Sequence, residues 1–137
     1  VEEILRFVTP VVGFRRTATC DTEIDGRKIA KGDKVVMIYQ AANRDPAVFS
    51  DPETFRIDRT PNDHLAFGIG AHFCLGANLA RAEIRIVFRE LLRRLPDIRV
   101  APGEGPVRVP SPLVAAIASL PVVFTPQDGV RDRPAAS

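Results

Sequence analysis

The chain has 137 residues, 45% of them hydrophobic, which is enough for one modest core. Its 19 basic and 17 acidic side chains leave a net charge of +2, too small a surplus to argue for a nucleic-acid partner. No apolar run is long enough to span a bilayer and no basic-then-apolar leader opens the chain, so no transmembrane segment is expected and a soluble cytoplasmic protein is the default. The two cysteines, Cys20 and Cys74, lack close-spaced pairing and fit a reducing compartment better than a disulfide scaffold.

The opening "VEEILRFV" has helical periodicity, with Val1, Ile4, Leu5 and Val8 on one face. No Ser, Thr, Asp or Asn cap precedes it, so the chain reads as starting inside a helix and as the carboxy-terminal part of something longer. Pro10 ends that helix, because the residue before a proline is pushed out of helical geometry. Three extended pieces follow: "VGFRRTA", "TEIDGRKIA" with Asp25-Gly26 as a hairpin turn, and "KGDKVVMIY". Together they predict a small sheet. "QAANRDPAVF" holds one helical turn, with Asn43 and Arg44 as turn residues. "SDPETFRIDRTPNDH" is rich in prolines and carboxylates without periodicity, which predicts a long irregular segment of the kind that usually carries function.

Residues 75–95 return to helical spacing. Ile84, Val87, Phe88, Leu91, Leu92 and Leu95 share one face, while Arg81, Arg85, Arg89 and Arg93 recur every four residues on another. Pro96 stops this helix, and "DIRV" and "LPVVFT" read as closing strands around a variable segment. The domain is expected to end near residue 126, and residues 127–137 to be a polar, disordered tail.

The stretch "FGIGAHFCLGANLAR", residues 67–81, sets three glycines, a histidine and a cysteine in a loop that runs into the long helix. It lacks the third glycine of a dinucleotide fingerprint and the Gly-Lys-Ser/Thr ending of a phosphate loop. Cys20, His64, His72 and Cys74 are two of each zinc-ligand type, but their spacing matches no common close-paired zinc arrangement. A cysteine nucleophile stays open, since a thiol at a helix amino terminus has a depressed pKa and His72 is two residues away, yet nothing is placed to orient that histidine. A thiolate iron ligand accounts for more of the residues. The helix start stabilises negative charge on sulfur, the glycines let a flat macrocycle approach the backbone, and Phe67 shields the sulfur from water. Haem propionates would then need His72 and an arginine from the sheet.

The run Phe67, Gly68, Gly70, His72, Cys74, Gly76 resembles, residue for residue, the cysteine-loop signature of the cytochrome P-450 superfamily of haem-thiolate monooxygenases. Glu3 and Arg6 in "EEILR" resemble that family's Glu-x-x-Arg pair, and "DPETFRIDR" resembles the segment whose arginine, here Arg59, completes a buried network with them. The resemblance spans residues 1–126. It implies an α+β, mainly α fold, the carboxy-terminal portion of the family's domain: a helix K remnant, small β-sheet, meander, cysteine loop, long helix L and closing β-hairpin. It implies haem b (iron protoporphyrin IX) with Cys74 as axial ligand, pushing electron density toward iron and so promoting O–O cleavage. Arg16 resembles the propionate-binding arginine, with Arg15 as its competitor.

The partners so implied are a hydrophobic small-molecule substrate and a ferredoxin-type or flavin electron donor fed by an NAD(P)H-dependent reductase. Arg81, Arg85 and Arg89 are the candidates for docking that donor. "AANRDP" and "PNDHLAFG" look most similar to bacterial members that hydroxylate sterols, branched lipids or terpenoids. The family's oxygen-activating helix and pocket-roofing helices have no counterpart in residues 1–137, and the Glu3, Arg6 and Arg59 network is expected to need upstream helices for its burial. Ala115-Ala116 stand where relatives often have a glycine turn, which implies an altered second substrate-contacting loop. At the level of this polypeptide, the enzyme reading competes with a catalytically incompetent haem-binding remnant and with a truncated product that holds no haem.

Overall fold

In the computed structural model, which describes residues 1–126, the chain forms two compact units. The expected polar tail, residues 127–137, lies outside the described residues. One unit is Val1–Cys74 with Pro110–Ala116, and the other is Leu75–Val109 with the chain from Ile117 onward.

The first unit begins with helix α1 (Glu2–Val8), which has acidic residues in its first turn and Arg6 in its last, as the helix dipole favours. Pro10 forces the preceding residue out of helical geometry, and Thr9 caps the helix in the left-handed region at φ 44°. That conformation is costly for a β-branched residue. It is offset by the Thr9 hydroxyl, which donates to the Arg6 carbonyl at 2.6 Å in a fully buried position.

Strand β1 (Gly13–Thr17) pairs antiparallel with β4 (Lys34–Ile38), with Gly13 opposite Ile38 and Arg16 opposite Val35. A side chain at position 13 would collide with the Met37 carbonyl, so only glycine lets the two backbones meet there. Between them, β2 (Thr22–Ile24) and β3 (Arg27–Ile29) form a hairpin about Asp25-Gly26, both at positive φ (49° and 75°) as a type I′ turn requires. The single small sheet expected from sequence is thus two separate pairs. Ala18 N–H donates to Asp33 O and Gly32 N–H to Ala18 O, closing the β1–β4 ladder on itself before the hairpin can join it.

The single helical turn α2 (Tyr39–Ala42) follows, then irregular chain from residue 43 to 69. The core here is small: Leu5, Phe49 and Ala66 are buried, and Phe7 meets Phe55 edge-on at 5.5 Å. Residues 110–116 return to this unit, where Val12 N–H donates to Leu113 O and Ala115 N–H to Pro10 O. Ala115 is therefore tied down by its backbone, which any residue type can do.

The second unit is built on α3 (Ala77–Arg94). Strand β5 (Arg99–Val100) pairs with β8 (Val122–Val123), and β6 (Val107–Arg108) with β7 (Ile117–Ser119), so the segment expected to be variable contains a second strand pair. Asp97 locks the first pair, accepting the Thr125 N–H and, at 2.5 Å, its hydroxyl. The apolar stripe of α3 is only partly covered: Leu91 and Leu95 line a cavity of about 550 Å³ with Phe124 and Pro126, while Val87 and Leu92 stay more than half exposed. Among the described residues no helix is long and apolar enough to cross a membrane.

Candidate functional site

The site rests on a buried polar network in the first unit. Helical spacing of three puts Glu3 and Arg6 on one face, and Arg6 Nε and Nη2 each reach a Glu3 carboxylate oxygen at 2.8 Å. The remaining Arg6 donors go to the carbonyls of Asn43 (2.8 Å), Pro52 (2.9 Å) and Thr54 (3.3 Å). Arg59 Nε reaches the same carboxylate at 3.1 and 3.2 Å, and its other nitrogens bind the carbonyls of Ser50, Asp51 and Thr54. Both guanidiniums lie over the Phe49 ring. Arg6 is 0% exposed and Glu3 4%, so the cover expected from upstream helices comes instead from residues 43–62 of this chain. Burial by itself would raise the Glu3 carboxyl, but hydrogen bonds from Arg6, the Arg56 N–H and Arg59, with the Arg6 charge, outweigh it and hold the group at about 2.

Asn43, expected to be a turn residue, is wholly buried and joins three elements. Its Nδ2 donates to Thr9 Oγ1 (2.9 Å), its Oδ1 accepts the Leu65 N–H (2.6 Å), and its carbonyl accepts Arg6. Arg44 stacks on Phe7 at 4.9 Å and donates to the Phe7 carbonyl, so it also holds α1. Through Asn43 the ion-pair network fixes where the cysteine loop starts.

That loop closes on itself: Cys74 N–H donates to Phe67 O at 2.9 Å, and a 3-10 turn (Gly70–His72) fills the interior. Gly68 (φ 72°) and Gly70 (φ 69°) occupy the left-handed region that glycine enters without steric cost. Gly76 does not, at φ −82°; it is the N-cap of α3 and lies in the turn that leads into it. Phe67 and Phe73 meet edge-on at 6.4 Å. Cys74 is a free, exposed thiol, and so is Cys20.

Two cavities flank the loop, both within the first unit. One, of about 330 Å³, is mostly apolar; Cys74, Phe67 and Gly68 line it against Leu5, Val11, Phe14 and Tyr39. The other, of about 340 Å³, shares Tyr39, Gly68 and His72 with the first and adds Arg16. Strand alternation puts the two candidate arginines on opposite faces. Arg16 shares the face of β1 that carries Phe14, whose ring it overlies at 5.8 Å, and Arg15 points to the opposite face.

In the second unit, Arg85 and Arg89 of the α3 stripe are exposed and Arg81 is half-buried and engaged, while Arg93 and Arg94 pair with Glu90. Among the described residues no three His, Cys, Asp or Glu side chains are gathered as a metal cage. Sequence reasoning passed over Tyr39, Phe14 and Asn43. The first two had a signal, an aromatic at the end of one strand and another near the start of the strand paired with it; the burial of Asn43 had none.

The family model for cytochrome P450 matches residues 1–121. The chain is 49% identical over 127 residues to the steroid C26-monooxygenase of Mycolicibacterium smegmatis, covering 92% of this chain and 31% of that protein. It is 54% identical over 126 residues to the methyl-branched lipid omega-hydroxylase of Mycobacterium bovis, covering 91% of this chain and 29% of that protein. The chain thus spans about a third of the length of these curated relatives. Among solved structures, a Mycobacterium marinum cytochrome P450 in complex with pseudoionone superposes with a TM-score of 0.84 at 50% identity, over 90% of this chain and 29% of that one. P450BioI in complex with an acyl carrier protein superposes with a TM-score of 0.86 at 40% identity, over 90% and 32%.

Proposed function

As the chain belongs to the cytochrome P450 family, we propose that it is the haem-binding segment of a cytoplasmic haem-thiolate monooxygenase that hydroxylates a hydrophobic small molecule. A sterol, methyl-branched lipid or terpenoid is the substrate class, in line with the names of its relatives. The carrying observation is that Cys74, at the end of a loop turned by two left-handed glycines, opens onto an apolar cavity whose neighbour holds Arg16 and His72.

This donor set fits haem b: one thiol, aromatic and aliphatic walls, and two side chains able to bind carboxylates. When bound, the haem supplies the redox chemistry of oxygen activation. The chain supplies the rest. Cys74 would give the thiolate ligand, with the Phe67 and Phe73 rings meeting edge-on in the same loop. Gly68 and Gly70 leave the loop backbone bare, so that a flat macrocycle could approach it. Arg16, with His72, would bind the propionates through charge-assisted hydrogen bonds. The Glu3, Arg6 and Arg59 network, acting through Asn43, holds the loop at the cavity. Arg81, Arg85 and Arg89 form the basic stripe offered to an acidic ferredoxin or flavin donor, itself reduced by an NAD(P)H-dependent reductase.

A haem titration of the chain, with the spectrum of its ferrous carbonyl form, tests this reading. One haem per chain and the strongly red-shifted Soret band of thiolate ligation are expected. Haem bound without that band would refute the Cys74 assignment.

A further inference from the structure

In the sequence His64 stands only among four zinc-type residues whose spacing matches no common zinc site. In the structure its side chain is 2% exposed and both ring nitrogens are engaged. Nε2 lies 3.1 Å from Glu2 Oε2, and Nδ1 accepts the Ala66 N–H at 3.3 Å. Accepting the Ala66 N–H takes a bare Nδ1, which leaves Nε2 as the nitrogen that donates to Glu2. What looks like an ion pair is a hydrogen-bonded relay from α1 to the backbone.

The position of that backbone contact matters. Ala66 is buried, and the residue after it supplies the carbonyl that accepts the Cys74 N–H. The His64 ring also stands 6.2 Å from the Phe67 ring. Leu65 is pinned by Asn43, so two successive N–H groups at the root of the loop are held by side chains from separate segments.

We infer that His64 is a positioning residue for the Cys74 sulfur. Its unprotonated Nδ1 orients the 65–67 backbone so that Phe67 O meets the Cys74 N–H, and its Nε2 is anchored by Glu2. The inference rests on the reading of Cys74 as the axial ligand, and goes beyond it in naming the side chain that aims the sulfur.

Two substitutions separate the ring's two ends. In His64→Asn, Oδ1 stands where Nδ1 was, keeping the acceptor and losing the Glu2 contact. In His64→Gln, the amide nitrogen stands near Nε2, keeping the Glu2 contact and losing the acceptor. Amide hydrogen exchange on the 137-residue chain reads the Ala66 and Cys74 N–H groups directly, and haem loading with carbon monoxide reads the thiolate band. In His64→Gln both amides are expected to exchange roughly tenfold faster, as for one lost hydrogen bond, and the carbonyl spectrum to move toward the neutral-thiol form. His64→Asn is expected to stay within about threefold of the parent exchange rates and to keep the thiolate band.

A packing role alone predicts the reverse order, because Gln fills the space better than Asn. Overturning results are parent-like exchange in His64→Gln, equal damage in both variants, or a proton on Nδ1 in a nitrogen-15 spectrum of the imidazole. A parent chain lacking the thiolate band would sink the ligand reading alone, and the exchange pattern would still decide the role of His64.

Discussion

Arg6 grips the Glu3 carboxylate through two hydrogen bonds of 2.8 Å each, with the guanidinium wholly out of solvent. Glu3 also accepts Arg59 and the Arg56 N–H, which is why its pKa falls to about 2 from an ordinary 4.5. A depressed carboxylate pKa contributes stability that is fully present above the unfolded value and is lost as pH falls toward the folded one. At neutral pH the contribution is on the order of 3 kcal/mol. Stability should therefore be flat above about pH 5 and decline between the two pKa values. Glu3→Gln should remove most of that decline while costing about 3–5 kcal/mol at pH 7, because two buried guanidiniums lose their counter-charge. Urea unfolding followed by circular dichroism from pH 7 to pH 2.5 measures both effects, and an unchanged acid slope in the variant would assign the dependence to other carboxylates.

Asn43→Ala is expected to destabilise the first unit by about 2–4 kcal/mol, since it strips partners from the Leu65 N–H and the Thr9 hydroxyl inside the core. Chemical denaturation measures the loss. A cost under about 0.5 kcal/mol, the range of ordinary surface changes, would return Asn43 to the status of a turn residue.

Cys74→Ser should abolish the thiolate-type Soret band of the ferrous carbonyl form, and Cys20→Ser should leave it intact. Both thiols are exposed, so the contrast does not depend on accessibility. Retention of the band in Cys74→Ser would mean that another group ligates the iron.

Arg16→Gln should weaken haem binding by roughly fivefold to tenfold, the value of one charge-assisted hydrogen bond. Arg15→Gln should leave it within about twofold, a difference of under 0.5 kcal/mol. The strand alternation that turns Arg16 toward the Phe14 face is the reason. Equal losses in a haem titration of the two variants would indicate a diffuse charge effect.

Reversing Arg85 and Arg89 to glutamate in a full-length enzyme carrying this segment should slow reduction by an acidic electron donor mainly at low ionic strength, because salt screens exposed charges over about 10 Å at 0.1 M. Stopped-flow reduction across a salt series measures this. Rates lowered equally at low and high salt would return the stripe to a solvated helix face.

Local pattern determined much of this protein. The helix boundaries at Pro10 and Pro96, the Asp25-Gly26 turn and the glycines before Cys74 all follow from forces acting within a few residues, so they were legible in the sequence. The cysteine-loop pattern pointed to the chemistry for the same reason, its spacing being local. Tertiary structure alone decided what depends on partners far along the chain. It separated Arg16 from Arg15, because a strand's inward face is defined only once a cavity forms beside it. It buried Asn43 and His64, whose partners lie 34 and 62 residues away in Thr9 and Glu2, where no periodicity relates them. It split the expected sheet into two pairs, because ladder closure at Ala18 and Asp33 is a competition between hydrogen bonds that composition does not rank. Buried polar groups must find partners wherever the fold brings them, and that search is settled in space.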